Sequence, residues 1–170
     1  MAKRIVSVTT ITPTATGDTT NLVDATYPFI LQGGSATQRT NVLELYCGGQ
    51  ATSSAPAYML LGRDSQVGSG TNTNGTGQTD ASVDAATAAL AAPVVTGNSN
   101  ATNKPQRSST LHLMNLSFNA FGGIVKWQAP QGWEPTIVGA SASLGEVSFS
   151  AFTGSSASAA MGTHCIYETL

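Results

Sequence analysis

Leu111 to Phe152 reads LHLMNLSFNAFGGIVKWQAPQGWEPTIVGASASLGEVSFSAF, and this stretch decides the fold. Both tryptophans of the chain lie in it, together with its longest alternating runs. Val147, Phe149 and Ala151 fall on one face of an extended segment while Glu146, Ser148 and Ser150 fall on the other, the period of two of a half-buried strand. Leu111 and Leu113 share one parity and Leu116, Phe118 and Ala120 the opposite one. The apolar face therefore changes sides near Met114 and Asn115, and a bulge is expected there. Gly122-Gly123 predicts a hairpin joining Leu116 to Phe121 with Ile124 to Gln128. Gly132, Pro135, Gly139 and Gly145 then punctuate the chain, and strands this short between turns this dense point to a β-sandwich or barrel.

The rest of the chain repeats the pattern. Ile5, Val6, Val8 and Ile11 among Ser and Thr form a β-branched opening strand that Pro13 ends. Tyr27, Phe29 and Leu31 alternate up to Gly33-Gly34, with Pro28 at a strand start or edge. In Val42 to Cys47, alternation puts Leu43, Leu45 and Cys47 inward against Val42, Glu44 and Tyr46. Ala57 to Leu61 is a short apolar run, after which Arg63-Asp64 reads first as an ion pair in a turn, ahead of a catalytic pair or a binding contact. Gly68 to Thr79 and Gly97 to Arg107 are polar loops, the first expected to be exposed and mobile. Asp80 to Ala92 is a weak helix candidate, with Asp80 as cap, Pro93 as stop, and only Val83 and Leu90 as larger apolar side chains. Gly154 to Ala160 is a small-residue linker before a closing HCIYE strand.

The sum is an all-β chain, expected as a jelly-roll-like antiparallel β-sandwich of about eight strands, with long polar loops and at most one short helix. Residues 1–170 are read as a single domain, with 1–21 a candidate extended arm. Only 9% of the residues are charged and the net charge is −2, against roughly 25% charged in ordinary soluble domains. Such a nearly neutral surface does little to keep copies apart, which suits a protein that lies against other protein. No apolar run is long enough for a transmembrane helix, and Met1-Ala2-Lys3-Arg4 leads into alternation rather than a continuous apolar region. The expectation is a protein made in a cytoplasm, without membrane partners. Seven scattered basic residues and a pI near 5.5 argue against nucleic acid.

Chemistry is sparse. His112, between Leu111 and Leu113, reads as a solvent-facing strand residue rather than a catalytic one. His164-Cys165 invites a metal, but strand neighbours point to opposite faces and no CxxC or HxxxH accompanies them. Cys47 and Cys165 are expected to be buried free thiols. Glu134, Glu146 and Glu168 lie near different strand ends, and a glycosidase pair among them would need an aromatic-lined groove. No nucleotide or hydrolase motif occurs, so no enzymatic activity, cofactor or metal is expected. Trp127 and Trp133 flank Pro130-Gln131-Gly132. Trp127 reads as a plug of the core, while Trp133 is equally a seal at its end or a contact for sugar or protein.

The runs LSFNAFGGIVKWQAP and GEVSFSAFTG, the small-residue spacer and the terminal HCIYETL resemble the decoration, or cement, proteins of tailed bacteriophage capsids. The likeness covers Leu111 to Leu170 best and is one of texture and layout. It implies a structural virion protein on the outer capsid surface, made in the bacterial host cytoplasm. Its partners would be the major capsid protein, whose neighbouring subunits it bridges, and further copies of itself as a dimer or trimer. Lys3, Arg4, Ile5, Val6, Val8 and Trp133 are the contact candidates, and the 1–21 segment the capsid-contacting or strand-exchanging arm. The alternative is a carbohydrate- or receptor-binding β-sandwich module of a phage fibre or spike, suggested by the two tryptophans and the polar loops.

Overall fold

A computed structural model describes residues 4–10, 29–32, 39–66, 78–82, 94–96, 106–138, 146–153 and 161–170. Its strands are β1 (Arg4–Thr10), β2 (Phe29–Gln32), β3 (Arg39–Gln50), β4 (Pro56–Gln66), β5 (Gln78–Ser82), β6 (Val94–Thr96), β7 (Gln106–Asn119), β8 (Phe121–Gln128), β9 (Thr136–Val138), β10 (Glu146–Thr153) and β11 (Met161–Thr169). All pairings are antiparallel, and no helix occurs among the described residues. One sheet runs β5-β1-β11-β3-β8, with β9 also on β3; the other runs β6-β2-β10-β4-β7. Val42, Leu45, Cys47, Ile137, Cys165 and Tyr167 from the first sheet and Ala57 and Leu61 from the second share one buried cluster. Met114, Leu116, Phe118, Val125 and Trp127 pack against it, so both sheets feed the same core.

Two irregularities decide which side chains reach that core. Between Ile166 and Tyr167 the β3 partner steps from Glu44 to Val42, leaving Leu43 as an extra residue. Val42 and Leu45 consequently both point inward and are fully buried, whereas Leu43 is only half-buried. Strict alternation put Leu43 inward and Val42 outward; the bulge reverses that assignment. On β7, Leu61 pairs with Met114 but Gly62 with His112, so Leu113 is the extra residue and faces out. The bulge expected near Met114 and Asn115 therefore lies at Leu113.

The expected hairpin between Leu116 to Phe121 and Ile124 to Gln128 does not form. β7 pairs with β4 and β8 with β3, so the chain crosses from one sheet to the other at Ala120. The β3 to β4 connection makes the same crossing through residues 51–55, and the two arches stack. Ala51 N–H donates to Ala120 O at 2.9 Å and Ala120 N–H to Ala55 O at 2.9 Å. Asn119 Oδ1 accepts from Ala55 N–H at 2.9 Å and Phe121 N–H at 3.0 Å, while its Nδ2 donates to Ser54 Oγ at 2.9 Å. Gly122, at φ 73°, takes up the extra residue where β8 slips against β3.

Other expectations shift as well. Asp80, read as a helix cap, lies mid-strand in β5 opposite Val8, because pairing with the edge of β1 outweighs a weak helical propensity. Residues 83–92 lie outside the described residues, as do 11–28, 67–77 and 97–105. Arg63 and Asp64 sit within β4, which runs on to Gln66, and not in a turn.

Candidate functional site

β8 and β9 both pair with β3, and residues 129–135 leave the sheet between them. The excursion is pinned at both ends: Ala129 N–H donates to Leu43 O at 2.8 Å, and Val42 N–H to Pro135 O at 3.0 Å. At its tip Trp133 N–H closes on Pro130 O at 2.9 Å, with Gly132 at φ 84° in the third position of the turn. A type II turn requires that positive φ, which is why glycine stands there. Gly132 N–H also donates to Glu134 Oε1 at 3.1 Å. Thr136 Oγ1 donates to Asn41 Oδ1 at 2.8 Å, and Asn41 Nδ2 to Glu168 Oε1 at 2.9 Å, extending the support across β3 to β11.

This framework carries Trp133 with 81% of its surface exposed. Beneath it a groove of about 480 Å³ opens between the two sheets, lined by Arg63, Leu113, Trp127, Pro130, Trp133, Glu134, Pro135 and Thr136. Arg63 reaches across from β4 and donates from Nη2 to Thr136 O at 2.8 Å. Trp127, on the inward side of β8, is half-buried against the core, in keeping with a plug. Trp133 does not seal the core.

A second constellation lies on the outward face of the first sheet. Tyr46 Oη donates to Glu44 Oε2, and Lys126 Nζ stands 3.1 Å from the same oxygen and 5.2 Å from the Tyr46 ring centre. The Tyr46 hydroxyl and then Lys126 hold the Glu44 carboxyl below its ordinary range, and Tyr46 and then Glu44 raise Lys126. His164 meets Tyr46 edge-on at 5.4 Å between ring centres. Cys165, its neighbour, is fully buried on the other face, so the pair cannot hold one ion. No group of three or more metal-ligating side chains occurs among the described residues.

Cys47 and Cys165 are both free and buried. Burial pushes the Cys47 thiol up to about 12 and raises that of Cys165 as well. Both are protonated at neutral pH and are poor nucleophiles. Neither is expected to react with Ellman's reagent in the native protein, and both should react within the dead time once guanidinium unfolds it. A stoichiometric fast phase under native conditions would contradict the placement.

Of the contact candidates read from the sequence, Arg4, Ile5, Val6 and Val8 lie in β1, hydrogen-bonded to β11 on one edge and β5 on the other. Lys3 lies outside the described residues. β1 stands two strands from β9, across β11 and β3, so the structure does not bring Trp133 together with the β1 residues. Leu113 and Thr136 join the groove without having been singled out, and Arg63 joins it after being read first as half of an ion pair in a turn. For Arg63 a binding contact ranked behind the ion pair in a turn, and Leu113 carried no signal because its outward turn depends on the bulge. No protein-family model matches the chain, and no curated protein or solved structure matches it.

Proposed function

We propose that this chain is a structural virion protein that decorates and stabilises the outer surface of a bacteriophage capsid, bridging neighbouring major capsid subunits as a homo-oligomer and without catalysis. The finer fold belongs to the same reading. The orders β1-β11-β3-β8 and β2-β10-β4-β7, in which the eight successive strands change sheet at every step except β4 to β7, support a jelly-roll sandwich of eight strands to which β5, β6 and β9 are additions. Low charge supports a surface meant to be covered.

The observation that carries the proposal is β8. Among the described residues its outer edge pairs with no strand, it contains no proline, and it exposes Ile124 at 81% and Phe121 at 57%. Monomeric proteins guard such edges with charge, proline or cover. The one charge on β8, Lys126, is folded back onto Glu44 instead. An edge of this kind suits strand addition by a sister copy or a shell subunit. In the same reading β1 contributes side chains from within its sheet rather than a free strand.

The test is assembly. The purified protein is expected to run as a dimer or trimer in light scattering, and to raise the temperature at which undecorated phage heads release DNA. Ile124→Lys places a second charge on the edge and should weaken self-association about tenfold or more without lowering the melting temperature measured on dilute protein. A monomeric wild type that leaves the heads unchanged would end the proposal. Among the described residues no helix is long and apolar enough to cross a membrane.

A further inference from the structure

We infer that the groove between the sheets at Trp133 is a binding site for a neutral saccharide, separate from the β8 edge used for assembly. The chain has two tryptophans, and both line this one groove. Its volume of about 480 Å³ falls in the range of small-ligand sites, roughly 300–1,000 Å³. A protein partner would need a broad flat face, since a stable interface buries on the order of 1,200 Å² or more.

The chemistry of the walls matches a pyranose. A sugar ring has one apolar face of C–H groups and a rim of hydroxyls that both donate and accept. It therefore needs a flat aromatic platform with donors and acceptors at its border. Trp133 supplies the platform, exposed over 81% of its surface and fixed by the Pro130 to Trp133 turn. Pro130, Pro135 and Leu113 add to the apolar lining of the groove, and Arg63, Glu134 and Thr136 supply its polar lining. The guanidinium of Arg63 is oriented by its bond to Thr136 O, and the Glu134 carboxylate by the Gly132 amide. These polar groups are positioned before any ligand arrives, which lowers the entropic cost of binding. One positive and one negative side chain leave the groove without net charge, which favours neutral hexoses over sialylated, uronic or sulfated sugars.

A glycan array followed by tryptophan-fluorescence titration with lactose, maltose and chitobiose tests the inference on the intact chain. At least one neutral glycan is expected to bind saturably. Trp133→Ala should weaken that binding about tenfold or more, and Trp133→Phe should retain most of it because a ring still offers a stacking face. Trp133 is exposed, so neither variant should alter the circular dichroism melt. No saturable neutral ligand, binding by acidic glycans alone, or affinity untouched by Trp133→Ala would each overturn the site. So would a Trp133→Ala variant that loses attachment to phage heads, because the groove would then be a protein contact. Head attachment and the Ile124→Lys result are read separately, so failure of the sugar site leaves the assembly proposal standing.

Discussion

Gly49→Ala is expected to lower the unfolding free energy by about 2–3 kcal/mol, an unusually large loss for the addition of one methyl group. A Cβ built on Gly49 would lie 2.5 Å from Ala120 Cβ, 2.7 Å from its Cα and 2.8 Å from its carbonyl oxygen. None of these atoms can rotate away. Ala120 is held by backbone hydrogen bonds to Ala51 and Ala55, so relief requires the two arches to part, with loss of the Asn119 hydrogen bonds to Ser54 and Ala55 that tie them. Gly162→Ala is the matched control: it lies in β11, and nothing stands within 4 Å of its added Cβ. There the same change should be neutral or stabilise by up to about 1 kcal/mol through the unfolded chain. Urea titrations of the two variants settle the matter. Equal midpoints would mean that the arches are not in contact at this position.

That crossing is also where the sequence was least legible. Gly122-Gly123 carries the signature of a tight reversal, and a reversal does occur beside it. A dipeptide cannot say whether the following strand lies next to its predecessor or in the facing sheet, because that depends on β3 and β4 offering separate partners. Strand identity was readable wherever alternation was regular, as in β10, where Val147, Phe149 and Ala151 alternate with serines. It failed at Val42 and Leu43, since a bulge inverts parity without leaving a residue type that announces it. The groove was half legible. Trp127 and Trp133 flank a turn in the sequence, but Arg63 comes from a strand in the other sheet, and only the tertiary crossing brings it to Thr136 O. The β8 edge was not legible at all, because edge position is a property of sheet order and not of the strand's own residues.

Leu45→Ala is expected to cost about 3 kcal/mol, and its comparison with Leu43→Ala tests the bulge directly. Leu45 is fully buried, paired with Trp127 on β8 and Cys165 on β11, and part of the cluster that both sheets share. Truncation removes the transfer energy of three carbons and leaves a cavity in the middle of a sheet whose neighbours on both sides hold their backbone in register. Leu43 is the extra residue of β3, half-buried, and its truncation should cost about 1 kcal/mol. Plain alternation would place both leucines inward and demand similar losses. A cavity at Leu45 should also loosen the packing around Cys165, so Ellman's reagent is expected to label Leu45→Ala measurably faster than wild type under native conditions. Equal stability losses for the two leucines, with unchanged thiol labelling, would remove the bulge and restore simple two-residue periodicity along the whole of β3.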